Sequence, residues 1–281
     1  MTRLILLFFI LFGPSIKTVF AQEIPLDVKS TFKIETPINF FEVDQIGNVY
    51  CVTNNEILKL NQNGELLYRY SNMTYGNITK LDVQNSLRPL VFYKAQSKIV
   101  VLDNTLSEQN NLCLNLDQLG LYNTLTIANS NLDNGVWLYD LDFKQIVKVN
   151  TKLEIVQKSG NLAVLLGKDS LMPINIIEKN GRLYMSTVND GVLIFDVYCS
   201  FNHSLDIACN NEIQVKEEHI FVNNDTSFFA YNCIDHTSVN FKTKKSYIKI
   251  TPIKSIFILS LIHISEPTRR RGISYAVFCL K

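Results

Sequence analysis

The chain lacks the short signatures by which catalysis is usually read from a sequence. It has no Cys-x-x-Cys pair, no His-Glu-x-x-His and no Gly-x-Ser-x-Gly. Those absences remove the marks of dithiol and zinc centres, of helix-borne metalloprotease sites and of elbow-type serine hydrolases. Histidine is scarce, and His203, His219 and His236 stand in turns or loops of different segments without a carboxylate partner, as surface residues do. Gly160–Lys168 imitates a phosphate loop, but six residues separate its glycines and Asp169 stands where Ser or Thr would hold Mg2+. A nucleotide site needs the tighter spacing and the hydroxyl, so the motif fails.

Helical patterning is missing as well. Apolar residues recur every second position or in short runs, and Asn is scattered throughout, which disfavours helices. A parallel βαβ architecture needs crossover helices of ten or more residues, and none is legible. Strong charge of either sign is absent too, the formal net charge being +1. Arg3, Lys17, Arg269, Arg270, Arg271, Lys281 and Glu266 lie in the two end segments, and without them the chain is mildly acidic. That argues against a nucleic-acid partner, whose affinity rests on clustered Lys and Arg.

The ends read differently from the middle. Residues 1–21 carry a basic start at Arg3, an apolar run from Leu4 to Phe12 and the small residue Ala21, the pattern of a cleaved secretory signal. The run is too short to span a bilayer, so the expectation is an exported protein, periplasmic or secreted, with no transmembrane span. At the other end, Ile273–Lys281 resembles a translated sequencing adapter, and residues 261–281 are set aside as a non-native tail. This leaves 22–260 as one domain, a size that all-β folds often fill as a single unit.

Within that domain a pattern repeats. Ile57-Leu58-Lys59-Leu60-Asn61, Ile99-Val100-Val101-Leu102-Asp103, Ile146-Val147-Lys148-Val149-Asn150, Val192-Leu193-Ile194-Phe195-Asp196 and Phe228-Phe229-Ala230-Tyr231-Asn232 are short apolar strands ending on an acid or amide. Each is preceded by two further apolar segments, with turn formers such as Gly47-Asn48, Asn134-Gly135 and Asn180-Gly181 between strands. A looser fourth segment follows in most units, as at Leu66–Tyr70. A period of about 40 to 45 residues built from four strands is the mark of a β-propeller. The fold expected is therefore all-β, a propeller of four-stranded antiparallel blades. About six blades are expected, the last incomplete: Ile248–Ile253 and Ile256–Ile258 open it, and Leu26–Ile34 lends it an outer strand.

The stretches Asp44–Tyr50 and Ile57–Gly64 resemble the blade hairpin of NHL-type six-bladed propellers. The larger pattern, including Asn77–Asn85 and Leu87–Tyr93, resembles a group of uncharacterised exported propeller-like proteins of Bacteroidetes over most of residues 36–260. That resemblance implies a scaffold and no activity.

Candidate chemistry is sparse. Calcium-dependent lactonases on six-bladed propellers set carboxylates and amides around a central channel, where a hard cation finds oxygen ligands. Here the innermost strands offer Glu42, Asp44, Asp82, Asn85, Glu178 and Glu217, of which Glu42, Asp82, Asn85 and Glu178 are the metal candidates. Their spacing does not turn all of them toward one axis, and the plainer reading is solvated turns. Cys51 and Cys113 sit in apolar strand patterns and read as buried, while Cys199 and Cys209 flank one loop and are the candidate disulfide. No catalytic residue and no cofactor is assigned. The function expected is a noncatalytic, monomeric binding scaffold for an envelope or extracellular protein or a glycan. The alternative is a calcium-dependent hydrolase using the channel.

Overall fold

The computed structural model describes residues 24–25, 28–34, 37–168, 170–224, 228–242, 247–250, 256–263 and 273–280. Two short strands come first, β1 (Ile24–Pro25) and β2 (Val28–Ile34). Blade one follows as β3 (Phe40–Val43), β4 (Val49–Val52), β5 (Glu56–Leu60) and β6 (Leu66–Ser71). Blade two is β7 (Lys80–Asp82), β8 (Leu90–Tyr93), β9 (Lys98–Leu102) and β10 (Glu108–Asn115). Blade three is β11 (Thr124–Asn129), β12 (Val136–Asp140), β13 (Gln145–Val149) and β14 (Ile155–Lys158). A single helical turn, α1 (Leu162–Leu165), leads to blade four: β15 (Pro173–Lys179), β16 (Arg182–Thr187), β17 (Val192–Asp196) and β18 (Phe201–Leu205). Blade five is β19 (Ile213–Lys216), β20 (His219–Asn223), β21 (Phe228–Asn232) and β22 (Ser238–Lys242). Each blade is an antiparallel meander in sequence order.

The second strands explain the pattern read from the sequence. Every residue of β4, β8 and β12 is buried, because each blade is covered on both faces. Alternation therefore gives way to continuous apolar runs. Successive residues face opposite neighbours: Tyr50 and Val52 join Val91 and Tyr93 between blades one and two, whereas Val49 and Cys51 pack with Phe41 on the other face. Further apolar clusters fill the seams between blades two and three, three and four, and four and five. Trp137 and Tyr139 are both fully buried in the seam between blades three and four.

The residue that ends each third strand closes the next turn. Asn61 Oδ1 accepts from the backbone N–H groups of Asn63 and Glu65, and Asp103 Oδ1 from those of Thr105 and Ser107. Asn150 and Asp196 do the same two and four residues on, and Asn232 accepts from Ile234. Such side chains mimic a backbone turn, which is why acids and amides recur there. Three residues after the first four caps the chain turns left-handed, at Gly64 (φ 84°), Leu106 (63°), Leu153 (60°) and Cys199 (65°). Only one of the four is glycine, so the cap imposes a backbone form that the other side chains resist.

The blade count is corrected from about six to five. Five sheets among the described residues take all four strands of their meander from one stretch of sequence. Of the segments expected to open a sixth blade, residues 248–250 fall in β23 (Tyr247–Ile250) and Ile256–Ile258 in β24 (Ile256–His263), while residues 251–253 lie outside the described residues; β23 pairs with β24, and β24 with β25 (Ile273–Leu280). The outer place in that sheet is filled by β2, antiparallel to β25, from the other end of the chain. This sheet is thus joined across the whole sequence, unlike the blades, and its strand β23 approaches β3 of blade one. The other N-terminal strand, β1, lies parallel along the outer strand of blade five, Ile24 opposite Phe241.

Candidate functional site

The innermost strands β3, β7, β15 and β19 bring side chains to a narrow central cavity of about 90 Å³. Its walls carry both signs, among them Glu42, Lys80, Asp82, Lys179, Glu212 and Lys216. Lys80 of blade two reaches Glu212, which leads into blade five, with Nζ 2.6 Å from Oε1 and side-chain exposures of 12% and 36%. This ion pair joins two blades that are not neighbours in the chain. Gln45 Nε2 adds a bond to the carbonyl of Gln84, from blade one to blade two.

Of the four metal candidates, the structure places Glu42 and Asp82 on this cavity and brings neither Asn85 nor Glu178 to it. Asp82 is buried, and its carboxylate is engaged by blade three: Oδ2 accepts from the backbone N–H of Asn129 at 2.9 Å, and Oδ1 from Asn129 Nδ2 at 3.1 Å. Asn129 Oδ1 accepts in turn from Arg88 Nη1 at 2.8 Å. Arg88 is itself buried, and desolvation lowers its pKa while the charges of Asp82 and Asp133 oppose that shift. Asn85 closes its own loop by accepting from the N–H of Leu87.

Glu178 is fully buried in the seam between blades three and four. Its Oε2 accepts from Ser130 Oγ at 2.8 Å and from Trp137 Nε1, and its carbonyl accepts from Asn131 Nδ2. Asp44, also buried, accepts from the N–H groups of Ile46 and Asn48 and from Tyr50 Oη. Glu217 stands in the tight turn between β19 and β20 with φ 49°. Among the described residues, no three His, Cys, Asp or Glu side chains converge as metal ligands do.

The cysteines fall differently from expectation. Cys51 is buried, but Cys113 is exposed, because it lies on the outermost strand of blade two rather than in a covered one. Cys199 and Cys209 are free thiols in separate apolar clusters, on opposite faces of blade four. Burial pushes Cys199 up to about 12 and Cys209 up to about 11, so neither is a ready thiolate.

Several bonded residues escaped the sequence reading: Asn129, Arg88, Lys80, Glu212 and Asn175, whose Nδ2 donates to the carbonyl of Ile213 across the seam to blade five. One signal was available. Asp82 and Asn129 close the inner ladders of their blades, opposite Leu90 and Val136, so aligning the repeats would have shown a polar residue at the same register.

The class these observations define is the β-propeller, and solved structures agree. The chain is similar to a catalytically inactive virginiamycin B lyase from Staphylococcus aureus with quinupristin (10% identity, TM-score 0.55, covering 86% of this chain and 80% of that one). It is similar to a streptogramin B lyase (12%, TM-score 0.54, 85% and 78%). It is also similar to the Pan2 WD40 domain of Neurospora crassa (9%, TM-score 0.52, 87% and 75%). At such identities the likeness establishes the fold alone. No family model matches the chain, and no curated protein matches it in sequence.

Proposed function

We propose that this chain is an exported, noncatalytic β-propeller that binds an envelope or extracellular protein or a glycan through its loops, as a monomer. The observation that carries this reading is the employment of the inner polar groups. Asp82 and Glu178 bond neighbouring blades to each other, and Lys80 and Glu212 neutralise one another at the cavity. By contrast, large apolar side chains stand out on the connecting loops: Met73, Tyr122, Phe143 and Met172 are 82%, 66%, 63% and 47% exposed. Function on propellers usually lives in such loops. The leader that would direct export lies outside the described residues.

The calcium-dependent hydrolase remains the second reading, favoured by one observation: Glu42 and Asp82 share a cavity wall. Calorimetric titration of the full chain with CaCl2 separates the two. The scaffold reading expects no saturable calcium heat at micromolar to millimolar metal. Saturable binding that disappears in Asp82→Ala, while that variant keeps its circular dichroism spectrum, would establish the alternative. For the scaffold itself, an envelope extract is passed over immobilised wild type and a Tyr122→Ser/Phe143→Ser variant. Identical retained species on both would count against the loops.

A further inference from the structure

We propose that the groove between α1 and β18 accepts an extended peptide, which adds a strand to the open edge of blade four, lodges an apolar side chain against Leu165 and Phe201 and sets a carboxylate against Lys168. The proposal names a partner chemistry for the binding reading above and rests on it. The groove has a volume of about 770 Å³, within the range of sites that take a ligand of drug or short-peptide size. Leu165, Leu166, Leu193 and Phe201 supply its apolar walls, and Ser200 and Ser204 its polar ones.

Three observations favour a strand as the occupant. First, β18 ends its sheet, in the order β15-β16-β17-β18, no strand among the described residues pairs with its outer edge, and Phe201 to Ser204 are exposed along it. An uncovered edge presents alternating N–H and C=O groups that an extended chain matches and a compact ligand does not. Second, the same fold shows the outer edge of a blade receiving such a segment, since β1 runs parallel to β22 on blade five. Third, the charge at the groove is directional. Lys168 Nζ holds Asp190 Oδ1 at 2.8 Å, yet Lys168 is 46% exposed and Asp190 only 13%. The cation of the pair is thus the more accessible partner, and an acidic residue on the peptide can share it with Asp190. Cys199, also on the wall, is a neutral thiol and serves as an apolar surface rather than a nucleophile.

The test is selection of a phage-displayed library of random dodecapeptides on the immobilised full chain, followed by fluorescence anisotropy with the selected synthetic peptide. Selected sequences are expected to alternate apolar and polar positions and to include an acid. Leu165→Asp places a charge in the apolar groove and should weaken binding by about tenfold or more. Lys168→Glu should weaken it less, and added salt should reduce the difference between that variant and wild type. Val164→Asp is the control: the residue is 79% exposed on the same turn but does not line the groove, and binding should stay within about twofold. Hydrogen exchange at residues 201–205 should slow when the peptide binds.

The proposal is overturned if no peptide is enriched, if affinity is indifferent to Leu165→Asp, or if exchange slows elsewhere instead. It is also overturned if light scattering shows a dimer whose contact slows exchange at β18, because a second copy would then be the occupant. Selected peptides that depend on Tyr122 and Phe143 rather than Leu165 would sink the groove and leave the scaffold reading standing. Failure of both the selection and the envelope capture would sink both.

Discussion

Two sets of acids and amides end strands in this propeller, and they do different work. Those ending the third strands, such as Asp103 and Asn150, bond to their own turn two and four residues on. Those ending or nearly ending the first strands, Asp82, Asn129 and Glu178, bond to a neighbouring blade 41 to 48 residues away. The first set fixes the shape of a blade and the second fixes blades to each other. Local caps are repaired by water when lost, whereas a buried inter-blade bond leaves its partner without one.

The sharpest break in that contrast is Glu178→Ala. With Glu178 fully buried, its loss strands Ser130 Oγ and Trp137 Nε1 in the seam, at a cost of about 3 kcal/mol. Urea denaturation should show a lower midpoint. Glu178→Gln, whose amide oxygen can accept both bonds that Oε2 takes, should lose clearly less; equal losses would mean that packing rather than bonding holds the seam.

Next in size is the bond between blades two and three. Asp82→Ala and Asn129→Ala should each cost about 2 kcal/mol, and the double variant less than their sum, because both remove the bond from Asn129 Nδ2 to Asp82 Oδ1, whereas the Asn129 backbone N–H loses its acceptor only in the first and Arg88 Nη1 only in the second. Additive losses in the double-mutant cycle would show that the two residues act separately.

The smallest effect belongs to a turn cap. Asp103 lies below the usual carboxylate range, first because the Thr105 hydroxyl bonds its carboxylate and then because the backbone N–H of Ser107 does. A folded-state pKa lowered in this way gives stability that is fully present above the unfolded value, about 4. That stability is lost as pH falls through the folded value. The group is only partly buried, so screening by solvent keeps the effect small. Asp103→Asn, which keeps the turn-forming amide used at Asn61 and Asn150, should remove this acid-side slope while changing stability at pH 7 by less than about 1 kcal/mol. A slope that survives the substitution would place its origin in another carboxylate.

The same contrast governs how much the sequence revealed. First, second and third strands of all five blades were legible, because their apolar runs, turn formers and capping residues are local and repeat. Outer strands were harder: β10 and β18 carry exposed polar residues and little pattern, and Cys113 was misread as buried for that reason. The inter-blade bonds were not legible, since nothing near Asp82 in the chain says that its partner is Asn129. The loan of an outer strand by the N-terminal segment was legible, and Val28–Ile34 takes that place against β25; the count itself failed, because a sheet that draws on both ends of the sequence is not one more unit of the repeat.

That borrowed strand sets the order of assembly. Each meander can zip as soon as its own forty or so residues are available. The sheet holding Val28–Ile34 against Ile273–Leu280 must wait until residues 273–280 are synthesised, and until then Val28–Ile34 lacks that partner. A chain emerging slowly would therefore carry Val28–Ile34 as an idle β-strand until β25 arrives, the interval in which a strand-binding chaperone has most to protect.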